Sequence, residues 1–449
     1  MARIPTLSFD RGTLILHPPP KGKAWVEYAT WDERVEKFRL PAWSYRPLME
    51  ALQAEGTTLV DEAKGFEPLE LVPSLEMEPY PHQSEALTSW KQAGRRGVVV
   101  LPTAAGKTYL AQLAMQATPR STLIVVPTLD LMHQWYAHLK AAFPDIAVGL
   151  LGGGSRDRTP VLVATYDSAA IQAEALGNRY ALLVFDECHH LPTDFNRVIA
   201  DYAIAPYRLG LSATPERTDG RHADLDMLIG PEVYRKSAAE LAGKALAEHD
   251  VVRIKINLSQ QERERYNQLI QQRNDFLRRA KIVLGSLQGW QQFVQASGRS
   301  QEGRRAMLAH REAKEIALGT DGKLRVLADL LAEHYPERTL IFTADNATVY
   351  RISQEFLIPA ISHQTPVKER HEILKRFREG EYKTLVASHV LNEGVDVPAA
   401  SVAIILSGTG SQREYIQRLG RVLRKGKEHQ KRARLYEVVA AETSEEGTS

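Results

Sequence analysis

The chain has 449 residues, 43% hydrophobic and 25% charged, with a formal net charge of +2; this is the composition of an ordinary globular protein with room for two or three domains of roughly 150 residues. No apolar run approaches the ~20 residues that span a bilayer, and the first residues, MARIPTLSFDRGTL, lack the apolar core of a signal peptide. A cytoplasmic protein with no targeting segment is expected, and the single cysteine, Cys188, excludes an internal disulfide framework.

Residues 1–75 read as a small α+β domain carrying nine lysines and arginines against eleven acids. Thr13–Leu16, Trp25–Tyr28 and Thr57–Val60 are expected as strands, and Pro47–Glu55 as a helix closed by Gly56. Glu67-Pro68 and Val72-Pro73 read as a linker, because each proline drives its predecessor out of the helical region.

An α/β pattern follows over residues 76–243. The strands Val98–Leu101, Leu123–Val126, Val161–Thr165, Leu182–Phe185 and Leu209–Ser212 are rich in Val, Ile and Leu without polar alternation, as in a parallel sheet covered on both faces. Helices such as Leu129–Phe143 alternate with them. Between the first strand and an apolar helical stretch lies Leu101–Thr108, LPTAAGKT. Strand, small-residue loop, Gly-Lys-Thr, helix is the arrangement that binds nucleotide phosphates. Thr103, Ala104, Ala105 and Gly106 form the loop, Lys107 reaches the β/γ oxygens, and the Thr108 hydroxyl ligates Mg²⁺. The first glycine of the usual pattern is replaced by Leu101.

Asp186-Glu187-Cys188-His189 ends a later strand, where a magnesium-ligand aspartate belongs. Asp186 is expected to hold Mg²⁺ and Glu187 to polarise the attacking water. A Cys188/His189/His190 metal site is disfavoured, since adjacent residues do not converge on one ion. Ser212-Ala213-Thr214-Pro215 ends another strand and reads equally as a turn.

Residues 251–315 carry thirteen lysines and arginines against six acids and read as a basic helical insertion. Ser259 and Glu262 form a capping box, and apolar residues recur at Tyr266, Leu269, Ile270, Phe276, Leu277, Ala280, Val283 and Leu284. A polyanion contact through Arg273, Arg278 and Arg279 is expected, with a solvated helix face as the bland alternative. A second α/β pattern has strands Thr339–Phe342, Thr384–Ala387, Val402–Leu406 and Leu435–Val439 and helices Val367–Arg378 and Gln412–Arg424. In the last helix Gln417, Arg421 and Arg424 share a face; arginines there suit the γ-phosphoryl charge of ATP. Glu442–Ser449 reads as a frayed tail.

In this order the segments resemble the motifs of superfamily 2 helicases. The resemblance makes Gln83, in Tyr80-Pro81-His82-Gln83, an adenine-sensing residue. Val126-Pro127-Thr128 and Ala164-Thr165-Tyr166 become segments that grip a nucleic-acid backbone, and Glu393–Asp396 the coupling motif, with Asp396 at the nucleotide. LIVVPTL (Leu123–Leu129), TYDS (Thr165–Ser168), Leu191-Pro192, LIPAI (Leu357–Ile361) and YIQRLGRVL (Tyr415–Leu423) are similar to the compact archaeal and bacterial XPB-type DNA helicases. That resemblance implies a damage-recognition-like domain at 1–75, one RecA-like motor lobe at 76–243 and another at 244–449, and a helical thumb inserted at about 251–315. It also implies ATP and Mg²⁺ as cofactors, 3′→5′ movement on duplex and forked DNA, work in DNA repair or transcription-linked remodelling, and a nuclease or other repair-protein partner.

Two departures stand out. Ala104 replaces the glycine usual in the family's phosphate loop, and Arg217-Thr218-Asp219 replaces Arg-Glu-Asp, the strand-separating element. Arg217 and Asp219 are still expected at DNA. The alternatives are an ATP-binding clamp that positions a partner on DNA, and the motor of a restriction system, for which no endonuclease segment is evident.

Overall fold

In this computed structural model the apolar runs form the centres of two α/β units, which divide near residue 246. The structure describes residues 4–75, 77–217, 219–241, 249–284, 287–388, 400–406, 433–443 and 445–446.

The first unit opens with a five-stranded sheet in the order Thr30–Asp32, Lys37–Pro41, Thr13–His17, Thr6–Asp10, Val60–Asp61, antiparallel except for the last pair. Leu7, Leu14, Leu16 and Leu40 fall on its buried face and meet Leu48 and Leu52 of the helix Tyr45–Ala54. The tight hairpin turn needs two left-handed residues, supplied by Arg11 (φ 45°) and Gly12 (φ 82°). Gly12 also lies against Tyr202, whose ring a Cβ would approach to 2.5 Å.

Trp25–Tyr28 is not the expected strand but a 3-10 turn over Val26–Tyr28. Local hydrogen bonding curls the chain there. The Trp25 indole N–H donates back to the carbonyls of Pro20 and Gly22 (3.2 and 2.8 Å), and Glu55 accepts from the N–H groups of Lys23 and Ala24. The strand expected over Thr57–Val60 shrinks to Val60–Asp61.

The segment read as a linker is strapped down. Ser121 N–H donates to Glu67 O, Leu69 N–H to Pro119 O, and Ser74 N–H to Ala142 O, at 2.9, 3.0 and 2.8 Å. Arg46 donates to the carbonyls of Gly94 and Pro206 (2.6 and 3.0 Å), and Asn178 to Ala63 O (3.0 Å). These bonds join the small sheet to the larger one in a single unit.

The larger sheet has eight strands in the order Glu232–Arg235, Arg96–Val100, Tyr207–Ser212, Leu182–Asp186, Thr122–Val126, Val161–Thr165, Val148–Gly152, Ser155–Arg156. All pairs are parallel except the last. Every expected strand is present within two residues at each end. The unexpected ones lie at or near the edges, where burial and therefore the apolar signal are weaker.

The second unit holds a parallel sheet, in the described residues six strands, ordered His249–Ile256, Ala433–Ala440, Val402–Ile405, Thr339–Phe342, Thr384–Ala387, Ala360–Ile361. The basic segment starting at 251 is therefore not helical throughout: its first residues are the strand His249–Ile256, paired in parallel with Ala433–Ala440. Helices Gln260–Arg279, Leu287–Arg299 and Gln301–Gly319 follow. The capping box forms, with Glu262 N donating to Ser259 Oγ (3.3 Å) and Ser259 N to Glu262 Oε2 (2.9 Å). The first helix stops at Arg279, so Val283 is exposed rather than part of its stripe.

The expected frayed tail is also corrected. Glu445 is buried and forms an ion pair with buried Lys323 at 2.7 Å, while Lys323 Nζ donates to Leu406 O (2.6 Å). Burial lowers the Lys323 pKa, and the Glu445 charge opposes that shift. No helix among the described residues is long and apolar enough to cross a membrane.

Candidate nucleotide site and nucleic-acid interface

The buried strand Arg96–Val100 delivers the loop at residues 102–106 to the carboxyl edge of the sheet, and the helix Lys107–Ala117 leaves it. Two residues bend the loop, Ala104 (φ 68°) and Gly106 (φ 80°). Only glycine adopts that region freely, so the Ala104 methyl leaves the loop strained. The loop is braced from behind: His82 Nε2 lies 2.8 Å from Ala105 O, and Gln83 Nε2 donates to Gly106 O (3.2 Å) and Ala105 O (3.4 Å). Gln83 Oε1 accepts from Tyr80 N (2.9 Å). Gln83, expected at adenine, thus has both ends of its amide on main chain. A Cβ on Gly106 would come within 2.2 Å of Gln83 Nε2, so glycine is required there for space as well as φ.

The neighbouring strand ends bring up the acids. Lys107 Nζ pairs with Glu187 Oε1 at 3.1 Å, and Ser212 Oγ donates to Glu187 Oε2 at 3.3 Å. Glu187 sits at φ 47°, a left-handed conformation that turns the chain off the sheet. Asp186 is buried and accepts from the Trp135 indole N–H (2.8 Å) and from Glu187 N (3.1 Å). Burial first, and the Glu187 charge second, push the Asp186 carboxyl up to about 6, against the pull of Lys107 and Trp135. Cys188 is fully buried and its thiol is pushed well up by burial, so it is an inert core residue.

Thr128 and Thr165 both serve as helix N-caps, accepting from Leu131 N (3.2 Å) and Ser168 N (3.3 Å). They leave adjacent strands, with Thr165 in register with Val126. Arg217 forks onto Asp219 through two hydrogen bonds (2.9 and 2.5 Å) and donates to His189 O at 2.7 Å. The Arg217–Asp219 element is thereby tied to the Asp186–His189 turn.

In the second unit, Arg278 and Arg279 are exposed on the last turn of their helix, paired with Asp275 (2.5 Å) and Glu302 (3.5 Å). Arg273 is different. It is half-buried, donates to Asn274 Oδ1 and lies 3.2 Å from His310 Nδ1, and its pKa is lowered by burial. Arg299, Arg304 and Arg305 are also exposed and were not singled out in the sequence, although the Arg304-Arg305 pair, one turn past the Ser300 cap, is a usable signal. Trp135 was not singled out in the sequence at all, while Tyr166, His82 and Ser212 appeared only as members of motif segments with no role of their own. Thr218, Asp396, Gln417, Arg421 and Arg424 lie outside the described residues.

Residues 7–63 match the xeroderma pigmentosum group B helicase damage recognition domain, 76–217 the res subunit of type III restriction enzymes, and 322–426 the helicase conserved C-terminal domain. The chain is 39% identical to the DNA 3′-5′ translocase XPB2 of Sulfurisphaera tokodaii, over 94% of this chain and 95% of that one. This chain belongs to the XPB family of helicases. XPB relatives in Kineococcus radiotolerans and Mycobacterium tuberculosis are 32% and 31% identical over 82% and 74% of this chain, which spans only 60% and 55% of theirs. The restriction-enzyme match covers one motor segment, whereas the XPB relationship runs through nearly the whole chain. A Pyrococcus furiosus Hef helicase domain superposes with a TM-score of 0.53 at 20% identity, covering 82% of this chain and 97% of that domain, a likeness of fold. XPB membership makes the protein a nucleotide-using, ATP-hydrolysing enzyme of the helicase class.

Proposed function

We propose that this XPB-family protein is an ATP-driven DNA motor, a 3′→5′ helicase or duplex translocase working in DNA repair or transcription-linked remodelling inside the cell. The observation that carries the reading is one cluster: Lys107, Glu187 and Ser212 hydrogen-bonded together beside Asp186, at strand ends from which Thr128 and Thr165 also emerge. Incoming phosphate competes with Glu187 for Lys107. Once released, Glu187 is held by Ser212 and accepts the proton of the attacking water.

The donor set suits Mg²⁺. Thr108 and Asp186 offer hard oxygens, which fit an ion that arrives with phosphates and keeps several waters. Thr103 Oγ1 is buried in the loop without a hydrogen-bond partner, as suits a group awaiting a phosphate oxygen. Thr108 and Asp186 would hold the ion, which would supply positive charge against the phosphates. Gln417, Arg421 and Arg424 are proposed to stabilise the γ-phosphoryl charge, and Asp396 to contact nucleotide.

Thr128, Thr165, the Arg217–Asp219 pair, Arg278 and Arg279 are proposed to touch DNA, with Arg273 supporting the thumb. Phosphate contacts carry no sequence information, so binding is sequence-tolerant and salt-dependent. A nuclease or another repair protein is the proposed partner. A second reading, a weak ATP-binding clamp, is supported by the strained Ala104. Displacement of a third strand from a triplex, compared with displacement at a fork, tests the reading. A translocase strips the triplex in an ATP-dependent way, whereas a clamp strips neither.

A further inference from the structure

The Asp186 carboxylate is buried, and among the described residues its one side-chain donor is the Trp135 indole N–H, at 2.8 Å. The main chain of the same residue is held too: the Tyr166 O–H donates to Asp186 O at 3.1 Å, and its ring stacks on Phe185 with centroids 6.5 Å apart. Both aromatic residues are buried, Trp135 to 1% and Tyr166 to 3% exposure. The Tyr166 hydroxyl is not needed to fill space, since a phenylalanine ring keeps that packing; at Trp135 phenylalanine also gives up part of the buried indole's volume. What the N–H and O–H add is a fixed direction for one carboxylate and one carbonyl.

The two donors share a second property. Trp135 lies on the helix Leu129–Ala142, capped by Thr128, and Tyr166 directly follows the cap Thr165. A helix moves as a rigid rod over so short a distance, so a displacement of the Thr128 end is carried to the indole about two turns away. Hydrogen bonds weaken steeply with distance and angle. Each cap is thus joined to Asp186 through one hydrogen bond, to its carboxylate by Trp135 and to its carbonyl by Tyr166.

Resting on the proposed DNA contacts at Thr128 and Thr165, we propose that Trp135 and Tyr166 are positioning residues that couple bound DNA to Asp186. They set how well Asp186 receives the magnesium of the nucleotide complex. Neither touches nucleotide or DNA in this scheme.

The test uses the full chain and its Trp135→Phe and Tyr166→Phe variants, each keeping a buried ring and losing one donor. Binding of a fluorescent, non-hydrolysable ATP analogue is titrated with Mg²⁺, with and without saturating duplex DNA, and duplex affinity is measured separately without nucleotide. In the parent protein duplex DNA tightens Mg²⁺-dependent binding, by about tenfold if the coupling is of ordinary size. In the variants that tightening shrinks toward onefold, while duplex affinity stays unchanged. On a Thr128→Ala background, Trp135→Phe then has no additional effect on the tightening, as expected for two members of one path. If both variants keep the parent's ratio of binding with and without DNA, the coupling role is wrong, and the two donors only satisfy a buried carboxylate. If the parent itself shows no response to DNA, the DNA-motor reading fails first. A fall in analogue binding that is equal with and without DNA likewise overturns the coupling, and a thermal melt of each variant confirms that the fold persists.

Discussion

Ala104 is the residue where this chain departs from its motif and the structure registers a cost. Its φ of 68° places an alanine in the left-handed region, which for a residue with a Cβ costs roughly 1–2 kcal/mol. Replacing it with glycine removes that strain but loosens the unfolded chain by about 0.4–1 kcal/mol. Ala104→Gly is thus expected to change stability by about 0 to +1.6 kcal/mol and to preserve ATP hydrolysis, as read by denaturant unfolding and a phosphate-release assay. A marked loss of stability would mean the methyl group packs usefully. Asp186 gives a pH signature. Its folded pKa, about 6, lies above the ordinary carboxylate value of 3.8, so the folded state takes up a proton before the unfolded state does. Stability contributed by this group therefore rises as pH falls from about 7 toward 4. Asp186→Asn is expected to flatten that part of the melting-temperature profile; a variant profile parallel to the parent's would show that Asp186 is not the group titrating. The Gly-Lys-Thr and Asp-Glu segments were legible because their chemistry depends on neighbours in sequence. The Trp135 bond to Asp186 was not, because it joins side chains 51 positions apart.

Elements were legible in proportion to their burial. The central strands of both sheets are covered on two faces and read directly as Val, Ile and Leu runs. The strand His249–Ile256 was absorbed into a helical reading because its partner among the described residues, Ala433–Ala440, lies far along the chain. In the helices over residues 260–319, the capping box fixed the start of the first one, but charge alone did not separate Arg273 from its neighbours. Arg278 and Arg279 are exposed, and replacing both with alanine is expected to weaken duplex binding and to reduce the slope of log K against log salt by about 2. An unchanged slope would return them to a solvated face. Arg273→Ala is expected to act mainly on thermal stability, because its half-buried head packs against Asn274 and His310.

At the scale of the whole molecule, segments that look like connectors are structural. Residues 67–74 are hydrogen-bonded along the first α/β sheet, and proline-rich sequence gave no sign of it. Glu445 anchors a buried lysine; an acid five residues past an apolar strand looks solvated unless its partner is known. Among the described residues Glu445→Ala leaves buried Lys323 the Leu406 carbonyl as hydrogen-bond acceptor, and breaking such a pair costs about 3–5 kcal/mol. The unfolding transition of the second unit is expected to move down accordingly, and an unshifted transition would show that Lys323 relaxes to water. Most direct for the central claim is the rate of ATP hydrolysis with and without duplex DNA, for the parent chain, Lys107→Ala and Glu187→Gln. The account expects hydrolysis stimulated by duplex of any sequence, less so as salt rises, and abolished in both variants, with nucleotide still bound by Glu187→Gln. Hydrolysis indifferent to DNA, or surviving in Glu187→Gln, would contradict it.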